Sequence, residues 1–138
     1  QPQLIYKALF EAAWATLNQF GKTEGLQLGM IGVLHTWGQN LSLHPHLHCI
    51  VPGGGLTMQR KWRKKVRTDK FLFPVKALSK VYRAKFVALL RTSGVKDSNL
   101  MDKLFSKNWV VYAKRPFGGP KQVIEYLGRY THSPRWIF

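Results

Sequence analysis

The chain has 138 residues, 45% of them hydrophobic, with one cysteine and 22 Lys and Arg against six Asp and Glu, a formal charge of +16. That length supports one domain with its own core, the single Cys49 excludes an internal disulfide, and no apolar run reaches the roughly 20 residues of a membrane-spanning helix. A soluble protein of a reducing, intracellular setting fits, and the charge has the sign and size that attract a polyanion, nucleic acid before an anionic membrane surface.

Gln1-Pro2-Gln3 leads straight into an amphipathic pattern, so no signal peptide is expected, and a first residue of glutamine suggests a piece of something longer. Ile5, Leu9, Ala12, Ala13, Leu17 and Phe20 recur at three and four, which predicts a helix from Leu4 to about Phe20 that Gly21 stops. Leu26 to Trp37 reads as a strand loosened by glycines. Gly38-Gln39-Asn40 then turns the chain into a second strand, Leu43 to Val51, which Pro52 and Gly53-Gly54-Gly55 end. A turn centred near Asn40 to Leu43 sets His35 across from about His48, Trp37 from His46 and Gln39 from His44.

After the glycines, Leu56 to Gln59 and Arg60-Lys61-Trp62-Arg63-Lys64-Lys65-Val66-Arg67 form a strongly basic ribbon or loop ending at Phe71-Leu72-Phe73-Pro74. Cations that hold phosphates around a tryptophan that stacks a base make it a nucleic-acid-binding candidate, the alternative being a merely solvated face. Lys114, Arg115 and Arg129 extend that candidate set. Pro74 opens a second helix with Val75, Leu78, Tyr82, Phe86 and Leu89 as its buried stripe and Lys76, Lys80 and Arg83 outside, until Gly94 stops it. Ser98 caps a short helical turn through Phe105, Trp109 to Ala113 reads as a strand, and Pro120 opens a last helix to His132.

Two features carry chemistry. Successive strand residues point to opposite faces, so His46 and His48 share a face about 6.5–7 Å apart, and three of the five histidines fall within five residues. Two imidazoles at that spacing can grip one ion, although a satisfied pair of core or surface histidines is the plainer reading. Tyr126 and Tyr130 stand four residues apart, which places both on one helix face, where an aromatic packing contact is the plainer reading. Taken together in a basic domain poor in acids, a metal pair and tyrosines suggest phosphoryl transfer on DNA through a covalent phosphotyrosine. The ion polarises the phosphate and the phenolate attacks it. A phosphotyrosine conserves the bond energy for rejoining, so no nucleotide cofactor is expected, in keeping with the lack of a Walker-type loop.

His46-Leu47-His48 resembles the HUH motif (histidine, hydrophobic, histidine). With His35-Thr-Trp-Gly-Gln39, the run from His44 to Gly55, Phe73-Pro-Val-Lys-Ala-Leu-Ser79 and Tyr126-Leu-Gly-Arg-Tyr-Thr-His132, the chain resembles the two-tyrosine HUH transposase domain of insertion sequence 91 type elements. The resemblance implies an α+β fold of the HUH endonuclease kind, an RRM-like palm whose central antiparallel sheet carries the histidines, with two helices on one face and the tyrosine helix near the metal edge. It implies His46 and His48 as metal ligands and Tyr126 and Tyr130 as nucleophiles. The activity would be rolling-circle-like nicking and strand transfer of single-stranded DNA, at transposon ends and target, in a bacterial cytoplasm, without a membrane. Against the family pattern, an upstream strand, a cysteine-rich segment and the strand after His132 are missing, so residues 1–138 are expected to be one catalytic domain truncated at both ends.

A Mg2+ or Mn2+ ion needs a third ligand. His44, His35 and Gln39 qualify, three imidazoles favouring a transition metal over magnesium, and Gln39 is preferred because related HUH nucleases place a carboxylate or amide ligand there. The rivals to a transesterase are a non-catalytic nucleic-acid-binding remnant of such a transposase and a metallohydrolase whose tyrosines only pack.

Overall fold

The computed structural model describes residues 2–37, 43–65, 72–99, 102, 111–113 and 119–131, without the side chains of 2, 36, 37, 43–45, 130 and 131. In chain order these form α1 (Pro2–Thr23), β1 (Ile31–Trp37), β2 (Leu43–Ile50), β3 (Gly54–Leu56), β4 (Trp62–Lys64), α2 (Val75–Thr92) and α3 (Pro120–Thr131). The class is α+β, as expected. Among the described residues no helix is long and apolar enough to cross a membrane.

The apolar period of α1 buries Ala8, Leu9 and Ala12 against Phe86, Val87 and Leu90 of α2, and Leu34 of β1 joins them from the sheet. Leu47, paired with Leu34, packs on the same cluster. α1 and α2 therefore cover one face of the β1–β2 pair. The buried stripe of α2 is turned from the expected one: Val87 and Leu90 are fully inside, while Tyr82 and Leu89 are half-buried and Arg83, expected outside, is half-buried too.

Gly21 does not stop α1. The helix runs on to Thr23 and ends at Gly25, whose φ of 69° is one that a side chain disfavours. Leu26 N–H donates to the Gly21 carbonyl at 2.8 Å and Gly25 N–H to that of Lys22 at 3.0 Å, the Schellman pairing. Gly94, with φ 95°, ends α2 through the same pair of bonds, Val95 to Leu90 and Gly94 to Arg91, as expected. Gly21 has another reason to be glycine: a Cβ there would stand 2.8 Å from the Leu26 carbonyl oxygen and 2.9 Å from Leu28 Cγ. The returning chain lies on the helix, and Leu26, Leu28 and Phe73 form a second, smaller buried cluster there.

The strand expected from Leu26 is regular only from Ile31, and Gln27 instead makes an isolated bridge to Leu56. The β1–β2 register differs from expectation by two residues up to His35 and by three at Trp37. His35 pairs with His46, Val33 with His48 and Trp37 with Leu43, with an irregularity between His35 and Trp37. The glycines after Pro52 begin a strand rather than a loop: Gly54 and Gly55 pair with Lys64 and Arg63. A Cβ at Gly55 would meet the Gln27 carbonyl oxygen at 2.5 Å, so backbone packs where a side chain would stand. Of the strand expected at Trp109–Ala113, the described part, Val111 to Ala113, is not a strand, and the expected turn from Ser98 to Phe105 lies largely outside the described residues.

Candidate active site

Antiparallel pairing decides which side chains converge. Paired residues point to the same face and successive ones alternate, so His35, His46 and His48 share the face opposite Leu34 and Leu47. The apolar face is held by α1 and α2, which gives the histidines a rigid floor. Their ring centroids stand 5.0 to 5.3 Å apart, and one ligand nitrogen of each lies within 4.8 Å of the other two. All three are half-buried. Metal–nitrogen bonds of about 2.0–2.2 Å bring the nitrogens of bound imidazoles to about 3.0–3.4 Å from each other, a closure that rotation of the rings supplies. The three histidines could hold a metal ion.

Tyr126 closes the cluster from α3. Its hydroxyl lies 2.8 Å from His48 Nδ1 and its ring centroid 6.1 Å from that of His48. This contact brings Tyr126 of α3 to the histidine face. A neutral imidazole has one donor and one acceptor nitrogen, so with its proton on Nδ1, given to the phenol oxygen, His48 has Nε2 available as a ligand atom. Tyr130 follows one turn later on α3, with its side chain outside the description.

Of the expected site residues, the structure thus brings together His46, His48 and Tyr126. Gln39 lies outside the described residues, and so does the side chain of His44. His35 is the third histidine of the cluster among the described residues. The sequence signal for it was the face: any even shift of register leaves His35 with His46 and His48.

The basic candidates divide. Arg60, Lys61, Trp62 and Lys64 are exposed on the β3–β4 hairpin, and Arg129 is exposed on α3. Arg63 donates from its guanidinium to the Glu24 carbonyl, and Lys65 pairs with the Glu24 carboxylate while its ammonium stands 4.9 Å over the Phe73 ring. Arg67, Lys114 and Arg115 lie outside the described residues.

On the helix-facing side of the sheet, burial pushes the Cys49 thiol up to about 11, although the residue keeps solvent contact. Burial, and secondarily the neighbouring Cys49, raise the Tyr82 phenol well above its usual range. Neither group is a nucleophile at neutral pH, and both stand on the face away from the histidines.

A family described as "Putative transposase" matches residues 29–135, the span that holds the three histidines and both tyrosines. The chain belongs to this transposase family. The transposase resemblance drawn from the motif strings is thereby borne out. Among its relatives is "Putative transposase y4qJ" of Sinorhizobium fredii (strain NBRC 101917 / NGR234), 38% identical over 94% of this chain and 37% of the relative. Another is "Transposase for insertion sequence element IS801" of Pseudomonas savastanoi pv. phaseolicola, 29% identical over 94% of this chain and 34% of that protein. The chain spans a little over one third of the length of these relatives. No solved structure matches it.

Proposed function

We propose that this cytoplasmic domain nicks single-stranded DNA and passes the strand on through a covalent 5′-phosphotyrosine, the chemistry of rolling-circle-like transposition at element ends and target. The observation that carries the reading is the Tyr126 hydroxyl 2.8 Å from His48 Nδ1, within a cluster of three histidines. The relatives' transposase names and the charge of +16 supply the substrate class.

His35, His46 and His48 would hold a divalent cation, and Gln39 is a candidate for a further oxygen ligand. Three imidazoles suit Mn2+ better than Mg2+, which prefers oxygen. A bound ion would supply Lewis-acid polarisation of the scissile phosphate. Tyr126 loses its phenol proton to solvent, and His48, with its proton on Nδ1, donates to the resulting phenolate oxygen aimed at phosphorus. The Tyr126 oxygen forms a bond to phosphorus as the bond from phosphorus to the 3′-oxygen breaks. The leaving oxygen takes up a proton as the 3′-hydroxyl, and the 5′-phosphate remains on the tyrosine. Tyr130, one turn on, serves as the second nucleophile, so that two strand transfers can follow one another.

An end-labelled oligonucleotide incubated with the protein and Mn2+, then run on a denaturing gel, tests this. A covalent adduct is expected. Free cleaved ends without an adduct would mark a hydrolase, and a shift without cleavage a binding module; either overturns the proposal.

A further inference from the structure

The β3–β4 hairpin has two faces of different character. Arg63 and Lys65 point one way, both onto Glu24 at the end of α1, and fasten the hairpin to the body of the domain. Trp62 and Lys64 alternate with them and share the outer face with Gly54 and Leu56. The Trp62 ring lies against Gly54, its Cζ2 3.0 Å from where a Cβ would stand, yet the residue is 58% exposed. One side of the indole is thus supported by glycine backbone and much of the rest is open to solvent.

The tip repeats the theme. Arg60 N–H donates to the Thr57 carbonyl at 2.9 Å and Thr57 N–H to that of Lys61 at 2.9 Å, which closes a three-residue loop. Such loops place a residue of positive φ before the second strand, usually glycine. Here Arg60 takes it, with φ 60°, the only non-glycine residue with positive φ among the described ones. An arginine at a position that disfavours side chains extends the cationic edge past Lys61 to the tip. Among the described residues Arg60, Lys61 and Lys64 form no ion pair, and the Glu24 carboxylate is engaged by Lys65.

We propose that this outer face is a docking surface for one strand of DNA, with a base stacked on Trp62 and the flanking phosphates on Arg60, Lys61 and Lys64. Arg63 and Lys65 hold the hairpin and do not touch the strand. An open, backbone-supported indole among exposed cations is complementary to an unstacked base on a polyanion; in a duplex the base faces are covered. The surface deepens the proposed function by giving the single strand a path outside the histidine site, and its test does not depend on cleavage.

Fluorescence anisotropy of a labelled 20-nucleotide oligo-dT, without metal, reads it on the full chain. Trp62→Ala should weaken binding about 5- to 150-fold, the worth of one stacked base. Trp62→Leu should weaken it similarly, and Trp62→Phe only slightly. Lys61→Ala with Lys64→Ala should lower the slope of log K against log salt by about 1.4, for two phosphate contacts on a single strand. Arg63→Ala with Lys65→Ala should lower the melting temperature and leave the slope at the parental value. If Trp62→Leu binds as tightly as the parent, or if only the Arg63 and Lys65 pair changes the slope, this surface is wrong. Loss of binding by Trp62→Leu in a protein that forms no adduct would overturn the proposed function and keep the surface. An adduct formed by a protein whose binding ignores Trp62 would do the reverse.

Discussion

Tyr126→Phe is the substitution on which the site geometry bears most directly. It removes one hydroxyl, and with it the 2.8 Å hydrogen bond to His48. For stability the loss is one half-buried hydrogen bond, about 1 kcal/mol, which in a domain of this size moves the melting temperature by about 2–5 °C. For the reaction the loss is larger. Tyr130 follows four residues later, so its Cα lies about 6 Å further along the helix axis, at 1.5 Å per residue. A misplacement of about 1 Å can cost about 100-fold in rate, so Tyr130 cannot attack the same phosphate until the strand or the helix has moved. We expect the first adduct of Tyr126→Phe to form at least about 100-fold more slowly, with a residual single covalent bond through Tyr130, and Tyr126→Phe with Tyr130→Phe to form none. Single-turnover reactions on a labelled oligonucleotide, quenched in detergent at timed intervals, give the rate, and a thermal melt separates misfolding from lost chemistry. An undiminished rate in Tyr126→Phe, or a phosphopeptide mapped to Tyr6, Tyr82 or Tyr112, would refute the reasoning.

His46→Ala or His48→Ala should abolish cleavage and leave most DNA affinity, because phosphate contacts by basic residues outside the histidine cluster carry binding; cleavage by the double variant at the parental rate would remove the metal assignment. Calorimetry with Mn2+ should show His35→Ala losing more than the about 10- to 100-fold typical of an outer-sphere partner and Gln39→Ala less, and the reverse order would make the amide the third ligand. Cys49 should be alkylated at pH 8 about 100-fold more slowly than a thiol of pKa 9.0, since its own is raised to about 11; a rate matching that of the free thiol would contradict the burial. The same shift sets a sign for stability. Unfolding exposes a thiol that ionises near 9.0, so Cys49 favours the folded state below pH 9 and that contribution is lost as pH rises from 9 through 11, which melts across that window can follow.

How far the sequence could be read depends on whether a feature was local. Gly94 has no rival near the end of α2 and marked it correctly, whereas Gly21 and Gly25 both fit a helix end and only the packing of Leu26 and Leu28 on Gly21 separates them. The stripe of α2 was misread because Val87 and Ala88 follow Phe86 directly, and which side of that run faces inward is decided by Leu34 and α1. Gly54 and Gly55 carry no strand propensity of their own. They pair because Gln27 and Trp62 pack where side chains would be, contacts that no local pattern contains.

The histidine site shows the opposite case. Up to His35 the expected hairpin register was wrong by two residues, yet the side-chain period of a strand is two, so the error left His35, His46, His48, Leu34 and Leu47 on their proper faces. His35, His46 and His48 were therefore bound to converge on one side and Leu34 and Leu47 on the other, for any even slip. The slip did decide the neighbours: His35 stands directly across from His46, with Val33 rather than a histidine opposite His48. That leaves the place beside His48 to a residue from outside the sheet, and Tyr126 takes it from α3. A tyrosine 78 positions away could not be placed by periodicity, which says only that Tyr126 and Tyr130 share a helix face. What joins the two halves of the site is the hydrogen bond between His48 and Tyr126 of α3, where the proposed ion ligand meets the proposed nucleophile.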